Sequence, residues 1–226
     1  MGTRLRPYTV VLPKPLMPIG EYPILEVVIR QLVRHRFDHI TIAVNHQAEL
    51  IKAFCGDGSR WHVRIDYSLE EKPLGTMGPL RLIGDLPDHF LVMNGDILTD
   101  LDFAGFHHEH IAADRLFTIS SHSRDQKLDY GVLTTAPSGA LVAFQEKPVT
   151  AYEVSMGIYM VSRRILDFIP AAGAFGFDDL MHELLRSGKS VGVRRFTGYW
   201  LDIGRADDYQ QAVDEFATMR QRFLHD

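Results

Sequence analysis

The alternation of helix-like and strand-like apolar patterns in the first half of the chain constrains its fold more than any other feature. Apolar residues recur at helical spacing over 24–33, and a short β-branched run follows at 40–44. A second helix is predicted over 47–54 and a second strand over 63–67, followed by a helix over 78–83 and an apolar strand over 90–93. Strands that alternate with helices in this way favour right-handed βαβ units and a mainly parallel sheet.

The second half of the chain has a different pattern, in which short strands follow one another with turns between them. The strands predicted there lie at 116–120, 131–135, 141–145 and 154–161. The helices predicted there run from an N-cap at Asp178 to 185 and from Ala206 to beyond Phe216. This pattern predicts an antiparallel extension of the sheet. No repeat or linker divides the chain, so residues 1–226 are expected to form one domain.

The composition excludes several classes of protein. Hydrophobic residues make up 46% and charged residues 23%, as in ordinary globular proteins, and the formal net charge is −5. A mildly acidic chain offers no field for a nucleic acid backbone, although a pocket for small anions remains compatible with it. The single cysteine, Cys55, excludes an internal disulfide, and no apolar run is long enough to cross a membrane. We expect a cytoplasmic protein without nucleic acid or membrane partners.

The N-terminal segment combines a glycine with several cationic side chains. It reads GTRLRPYT, followed after a short gap by PKPLMPIGEYPIL. Gly2 lets the backbone approach a phosphate closely, while Arg4, Arg6 and Lys14 can neutralise a triphosphate. The alternative interpretation of this segment is a frayed basic terminus, which we would favour for a generic basic hexamer.

A second segment, EEKPLGTMGPL at 70–80, places two glycines before a predicted helix. Gly75 and Gly78 would allow close backbone approach to a flat or anionic ligand, and Glu70 or Glu71 could accept hydrogen bonds from a base. Without its context, this segment is an ordinary charged turn.

A carboxylate follows the apolar strand predicted at 90–93, in the sequence Asn94-Gly95-Asp96. Ligands of open α/β sheets bind at the carboxyl ends of strands, so Asp96 is a candidate ligand for Mg²⁺. A capped turn is the structural alternative. The histidines of His107-His108-Glu109-His110 lack the spacing of a zinc site and are expected to lie on a solvated helix face.

Taken in order, these motifs resemble those of the sugar-1-phosphate nucleotidyltransferases, or sugar-nucleotide pyrophosphorylases. The signature of that family reads GGxGTRLxPxT and then PKPLxPIxxxPIL, and this chain matches almost every fixed position. The resemblance implies a Rossmann-like three-layer α/β/α domain of GT-A-like type, with a mixed, mainly parallel sheet and a small antiparallel sugar-binding extension. It also implies an enzyme that joins a nucleoside triphosphate to a sugar 1-phosphate and releases pyrophosphate.

The resemblance also implies roles for residues on the nucleotide side. By similarity, the turn at Gly2 and Thr3 wraps the nucleotide phosphates, Arg4 assists pyrophosphate departure, and Lys14 supports the reacting phosphates. The segment at 70–80 resembles PLGTAGPL, which lies along the base and sugar in the family. The nucleotide contacts implied there are Glu71, Gly75 and Thr76.

On the metal and sugar side, the segment Trp200-Leu201-Asp202-Ile203-Gly204 resembles the family element WxDxG, whose aspartate shares the metal. Asp96 and Asp202 are therefore the implied ligands of a Mg²⁺ cofactor, while Trp200 itself is better interpreted as a core aromatic. Ser155 departs from the Asn often found at its position. The sugar-phosphate contacts implied by the resemblance are Gly131, Glu146, Lys147 and Gly157.

The sequence leaves the substrates and the assembly open. The Gly-Pro-Leu ending at 78–80 looks most like mannose-1-phosphate guanylyltransferases, which favours GTP with a mannose or heptose phosphate over UTP, CTP or dTTP. A non-catalytic sugar-nucleotide-binding regulatory homologue and a GT-A glycosyltransferase are the alternatives. The oligomeric state is open.

The N-terminal signature begins later here than in the family, which precedes it with a buried strand and a Leu-Ala-Gly-Gly turn. We therefore expect the natural protein to carry about ten more residues, the length of one strand and its turn. No C-terminal β-helix and no acetyltransferase activity are expected.

Overall fold

The computed structural model describes residues 11–44 and 48–224 and has a mixed α/β architecture. Its strands are β1 (Pro18–Ile19), β2 (Tyr22–Pro23), β3 (His39–Val44), β4 (Arg64–Leu69), β5 (His89–Met93), β6 (Ile97–Thr99), β7 (Phe117–Lys127), β8 (Val132–Thr135), β9 (Leu141–Gln145), β10 (Val149–Ser162), β11 (Val191–Phe196) and β12 (Trp200–Asp202). Its helices are α1 (Ile24–Arg34), α2 (Ala48–Cys55), α3 (Phe103–Ala112), α4 (Phe177–Arg186) and α5 (Ala206–Leu224). Short 3-10 turns lie at Lys14–Leu16, Ser59–Trp61, Gly78–Leu82 and Arg163–Phe168.

The largest described sheet has the strand order β11, β7, β10, β5. β11 runs parallel to β7, whereas β10 runs antiparallel to both of its neighbours. Three of the four strands therefore point the same way, and β10 is the exception. The predicted mixed, mainly parallel sheet is confirmed.

Strand β10 shows why this sheet is covered on both faces. Successive side chains of a strand point to opposite faces. Tyr159 and Val161 pack with α4, whereas Ile158 and Met160 pack with α1 and α3. Burial on both faces produces the helix–sheet–helix layering that the resemblance implied.

The first βαβ unit is also as predicted. β3 and β4 pair in parallel, with His39 opposite Arg64 and Val44 opposite Leu69. Helix α2 connects them, although its expected first residue, Gln47, lies outside the described residues. The apolar side chains of β4 and of the loop before it pack against Leu25 and Ile29 of α1.

The predicted antiparallel extension is present and longer than expected. β7 and β10 continue their pairing well beyond the packed core, from Ser121 opposite Ser155 to Lys127 opposite Val149. β8 and β9 form an adjacent hairpin whose residues are all exposed. This part of the molecule therefore projects from the layered core.

The N-cap predicted at Asp178 is wrong. Helix α4 begins at Phe177 with Gly176 as its N-cap, and Asp179 accepts a hydrogen bond from the Gly176 amide at 2.8 Å. A second cap comes from far along the chain, since the Thr76 hydroxyl accepts from the Phe177 amide at 2.8 Å. The local pattern of acidic residues could not reveal this long-range cap.

Two further expectations need correction. The segment 78–83 forms only a 3-10 turn, with Pro79 in its first positions, and not a full helix. The histidine run at 107–110 is not wholly a solvated face, because His110 is completely buried and its Nδ1 lies 2.8 Å from the Thr118 hydroxyl.

The last predicted helix is confirmed as α5, which packs through Ala212, Phe216 and Phe223 onto Leu98 and Leu201. Among residues 11–44 and 48–224, no helix combines the length and apolar character needed to span a membrane.

Candidate active site

The two predicted metal carboxylates lie side by side because two short strands pair. Asp96 precedes β6 and Asp202 ends β12, and these strands are antiparallel, with Asp202 opposite Ile97. The Ile203 amide donates to the Asp96 carbonyl at 3.3 Å, which extends the ladder by one step. Residues distant in sequence are thus fixed next to each other by backbone hydrogen bonds.

Lys14 reaches the same place from the N-terminal segment. It lies in the 3-10 turn after Pro13, and its Nζ forms an ion pair with Asp96 Oδ2. The side chains of Lys14 and Asp96 are only 18% and 19% exposed. An ion pair this sheltered is screened less by water and salt than a surface pair.

Asp202 has an environment that favours a nearby cation. Burial raises the pKa of its carboxyl above the ordinary value, and the negative charge of Asp96 raises it further. The positive charge of Lys14 partly offsets these effects, whereas Asp208 adds to them and Arg124 opposes them. A divalent cation bound beside Asp202 would relieve both the cost of burying this carboxylate and its repulsion by Asp96.

The donor set fits Mg²⁺ better than a softer metal. Asp96 and Asp202 provide carboxylate oxygens, and Mg²⁺ is usually held by one or two carboxylates together with water and substrate phosphates. A triphosphate would supply the remaining oxygens.

Another group of possible metal ligands lies elsewhere. His39, Asp66 and Asp85 place their ligand atoms within 4.8 Å of one another. Arg64 already forms ion pairs with both aspartates, at 2.5 and 3.7 Å, and His39 lies 2.8 Å from Asp66. These contacts explain the cluster without a metal.

Gly157 supports the turn that carries Asp96. The Asn94 amide donates to the Gly157 carbonyl at 3.0 Å, where β10 has an irregular register. Gly157 has φ +73°, and a Cβ placed there would lie 2.7 Å from Asn94 Nδ2. Only glycine fits this backbone conformation and this close approach. The predicted sugar-phosphate residue Gly157 therefore lies beside the carboxylate pair.

The other predicted sugar-phosphate residues lie together at the open end of the β8–β9 hairpin, just before β8 and just after β9. A Cβ at Gly131 would lie 3.1 Å from Glu146 Oε2, so these two residues are neighbours. Lys147 follows with φ +44° and is exposed. In the described part of the chain, no hydrogen bond or ion pair joins Glu146 or Lys147 to the carboxylate pair.

The predicted nucleotide residues at 71–76 form a loop against the start of α4. Gly75 has φ +79°, and a Cβ there would lie 2.6 Å from the Phe175 carbonyl oxygen. Thr76 caps α4, and Glu71 is exposed. The predicted residues Gly2, Thr3 and Arg4 lie outside the described residues.

Trp200 has the structural role that the sequence favoured. Its Nε1 donates to the Met156 carbonyl at 3.1 Å, and its ring packs against the core beside α1 and α3. The tryptophan thereby joins β12 to β10 next to Asp202.

Sequence reasoning missed a cavity of about 450 Å³ beside Asp202. Its walls come from β7, β10 and the start of α5, and they include Arg124, Tyr152, Arg205 and Asp208. Arg205 could have been noticed, because it directly follows the WLDIG motif. Arg124 carries no such signal, since it enters the cavity only through the pairing of β7 with β10.

Comparison with known proteins identifies relatives of this chain. The family described as Nucleotidyl transferase matches residues 1–218. A UTP–glucose-1-phosphate uridylyltransferase of Synechocystis sp. is 35% identical, over 94% of this chain and 60% of its own length. A mannose-1-phosphate guanyltransferase of Schizosaccharomyces pombe is 32% identical, over 92% of this chain and 60% of its own length. The chain thus spans about three fifths of the length of these curated relatives.

Solved structures show the same fold. A Bacillus anthracis protein bound to sucrose has a TM-score of 0.74 and 23% identity, covering 94% of this chain and 90% of that chain. HddC from Yersinia pseudotuberculosis has a TM-score of 0.71 and 23% identity, covering 91% and 90%.

Proposed function

The chain belongs to the nucleotidyl transferase family, and on this premise we propose that it transfers a nucleoside monophosphate from a nucleoside triphosphate to a sugar 1-phosphate. The products are a nucleoside-diphosphate sugar and pyrophosphate. The observation that carries the proposal is the convergence of Lys14, Asp96 and Asp202 at the carboxyl end of β5. This arrangement supplies one cation and two carboxylates, which we expect to hold Mg²⁺, where a triphosphate would react.

In the proposed reaction, Asp96 and Asp202 would hold Mg²⁺. The ion, when bound, supplies charge neutralisation at the α-phosphate of the nucleotide. The raised pKa of Asp202, caused first by burial and then by Asp96, supports this role, because a divalent cation would relieve both effects. The ion pair of Lys14 with Asp96 holds both side chains in place beside the reacting phosphates.

The chemical step needs little from the protein beyond position and charge. An oxygen of the sugar's phosphate forms a bond to the α-phosphorus, while the bond from that phosphorus to the bridging oxygen of the β-phosphate breaks. The attacking phosphate is already ionised, so no side chain has to accept a proton. Lys14 neutralises developing charge, and we expect the same of Arg4 at the departing pyrophosphate.

For the base and the sugar, we propose GTP with mannose 1-phosphate or a heptose 1-phosphate. The Gly-Pro-Leu sequence at 78–80 supports this choice, together with the Schizosaccharomyces pombe relative named for mannose 1-phosphate and guanylyl transfer. UTP with glucose 1-phosphate is the second candidate, because the Synechocystis relative has the higher identity and is named for that pair.

The test is a matrix of pyrophosphate-release assays. Purified protein is incubated with Mg²⁺, one of GTP, UTP, ATP, CTP or dTTP, and one of mannose, glucose or heptose 1-phosphate. We expect release only when both substrates are present, with the fastest rate for GTP and mannose or heptose 1-phosphate.

Each outcome of the matrix has a defined meaning. Fastest release with UTP and glucose 1-phosphate supports the second candidate. Binding of a sugar nucleotide without pyrophosphate release from any pair contradicts the enzyme proposal and supports a regulatory binding protein. Transfer from a finished sugar nucleotide to an acceptor, again without pyrophosphate release, supports a glycosyltransferase.

A further inference from the structure

The apolar side chains that the core leaves uncovered are concentrated on the projecting extension. Eight of the eighteen exposed large apolar side chains in the described part of the chain lie between residues 128 and 149. They are Leu128, Tyr130, Val132, Leu133, Leu141, Val142, Phe144 and Val149, with exposed fractions of 36% to 80%. Single exposed apolar residues are normal on a protein surface, whereas a group of them marks an interaction site.

The register of the β8–β9 hairpin puts three of these side chains on one face. Leu133 lies opposite Phe144, and Thr135 lies opposite Leu141. Directly opposed residues point to the same face, and so do residues two apart on one strand. Leu133, Phe144 and Leu141 therefore form one apolar surface, the hairpin face, and they are 61%, 59% and 61% exposed.

The hairpin face has no core beneath it. Antiparallel strands with one apolar face normally pack that face onto a core. Here every residue of both strands is exposed, and among residues 11–44 and 48–224 β8 and β9 pair only with each other. An isolated two-stranded hairpin is marginally stable in water, so a covering partner would stabilise this one.

The charges around the hairpin face are balanced. Lys127 and Asp129 precede β8 and form an ion pair at 3.8 Å, while Glu146 and Lys147 follow β9. Two cations and two anions leave no net charge, so this surface does not repel a copy of itself and does not select a partner of one charge sign. A surface that binds membranes is typically rich in cations instead.

The available area also fits a second copy. A standard interface buries about 800 Å² on each partner, and one large aromatic side chain can bury about 150–250 Å². Two aromatic and six aliphatic side chains of the extension, at exposed fractions of 36% to 80%, offer an area of that order. Around a twofold axis an apolar face is complementary to itself, because each copy supplies the same patch.

We infer that two copies of this chain associate through the hairpin face, with Leu133 and Phe144 of one copy packed against those of the other around a twofold axis. Such a dimer would form whichever substrates the protein uses. A Cβ at Gly131 would lie 2.5 Å from the Phe144 ring and 3.1 Å from Glu146 Oε2. The interface therefore borders the two residues at the open end of the hairpin for which the resemblance implied sugar-phosphate contacts.

Sedimentation velocity of the purified protein tests this dimer at about 1–100 µM, a range that covers the dissociation constants of modest interfaces. The wild type should approach about 51 kDa, twice the 25.7 kDa of one chain. Phe144→Ala removes a central contact and should raise the dissociation constant about 30-fold or more.

A charge exchange at position 133 makes the test specific for this face. Leu133→Glu and Leu133→Lys should each sediment as monomers, because the two copies then bring like charges together at the axis. A mixture of the two variants should regain the dimer, because opposite charges then meet. Thermal unfolding identifies any loss of folding, and Phe144→Ala then carries the test.

Leu185→Glu is the matched control. Leu185 lies on α4 and is 68% exposed, close to the 61% of Leu133. This variant should sediment as the wild type does, because its new charge lies outside the hairpin face.

Four results would overturn the inferred dimer. They are a wild type that stays monomeric throughout the concentration range, a dimer that persists in both Leu133→Glu and Phe144→Ala, an equal loss of the dimer in Leu185→Glu, and a mixture of folded Leu133→Glu and Leu133→Lys that remains monomeric. Flotation of a monomeric wild type with vesicles of phosphatidylcholine and phosphatidylglycerol would assign the face to a membrane instead.

Discussion

At the scale of single residues, the proposed chemistry depends most directly on Asp96 and Asp202. Asn replaces Asp with the same shape and no charge, so Asp96→Asn and Asp202→Asn should fold while losing the metal-binding oxyanions. Removal of one preorganised electrostatic contact predicts a fall in kcat of about 100-fold to 1000-fold for each variant. Pyrophosphate release at saturating substrates measures this fall.

Asp88→Asn serves as the control for these variants. Asp88 is 83% exposed and pairs with the surface residue Arg163 at 3.0 Å, away from the carboxylate pair. Its kcat should match that of the wild type. Wild-type rates in Asp96→Asn or Asp202→Asn would show that the carboxylate concerned does not hold a catalytic metal.

His110 provides a prediction about pH and stability. Burial, followed by the charges of His89 and His107, lowers its pKa to about 4 from the ordinary value of 6.5. The unfolded chain therefore binds a proton between about pH 6.5 and pH 4 that the folded chain excludes. The full free energy of unfolding should be present above pH 6.5, where His110 is neutral in both the folded and the unfolded chain. It should fall by about 3 kcal/mol as the pH drops toward 4.

Urea unfolding at pH 7.5, 6.0 and 5.0 measures this loss. His110→Gln should reduce the dependence on pH, although it also changes the contact with Thr118. His108→Gln is the matched control, because His108 lies on the same helix and is exposed. An equal pH dependence in wild type and His110→Gln would assign the effect to other groups.

At the scale of elements, the bulge of β10 and the turn after β5 act as one unit. Gly157→Ala would force a Cβ to within 2.7 Å of Asn94 Nδ2 at φ +73°, and Asn94 is two residues from Asp96. We expect a loss of stability of about 2–4 kcal/mol, which combines a strained φ with overpacking. A displaced Asp96 should lower kcat about 100-fold.

Gly139→Ala separates these two costs. Gly139 also has a positive φ, of +84°, but a Cβ there would meet nothing within 4 Å. This variant should lose only about 1 kcal/mol, the cost of a positive φ, and keep its full kcat. Urea unfolding and pyrophosphate release measure both quantities. Equal effects of the two substitutions would contradict the coupling of Gly157 to the Asp96 turn.

The elements also show what the sequence can predict and why. Helices α1 and α5 and strands β3 to β5 were predicted because each carries a local apolar period that also decides its burial. Strand β11 was not predicted, since its two charged residues interrupt a short apolar run. The distal half of β10 is exposed and buries no apolar face, and its hydrogen bonds to β7 keep it extended.

The candidate site also contains some residues that a local pattern predicts and others that long-range contacts bring together. Asp96 could be identified from the sequence, because a carboxylate after a buried strand lies at the ligand-binding edge of an α/β sheet. Its distance from Asp202 could not be derived from spacing and depended on the resemblance, since it is set by the long-range pairing of β6 with β12. The cavity at Arg124 depends on three separate elements, so no local pattern could indicate it.

At the scale of the whole molecule, the carboxylate pair is anchored to two cores at once. Leu98 and Leu201, on β6 and β12, pack against α5, whereas Ile97 packs with Phe103 and Ile158 in the core beside α1 and α3. A ladder fixed from both sides holds its carboxylates in place before any ligand arrives. Such preorganisation predicts that substrate binding mainly adds stability to an existing site.

Ligand binding should therefore raise the melting temperature in a metal-dependent way. A nucleotide at 100 times its dissociation constant adds about 2.7 kcal/mol to the free energy of unfolding. For a chain of this size, that gain corresponds to a rise of about 5–11 °C. We expect this rise with GTP and Mg²⁺, and a much smaller rise with GTP and EDTA, since Asp96 and Asp202 then face the triphosphate without a shared cation.

Asp202→Asn should lose most of the metal-dependent part of this rise in melting temperature, while Asp88→Asn should keep it. An equal rise in Mg²⁺ and in EDTA would show that the nucleotide binds without a metal at these carboxylates, and a larger rise with UTP than with GTP would favour the uridylyl transfer.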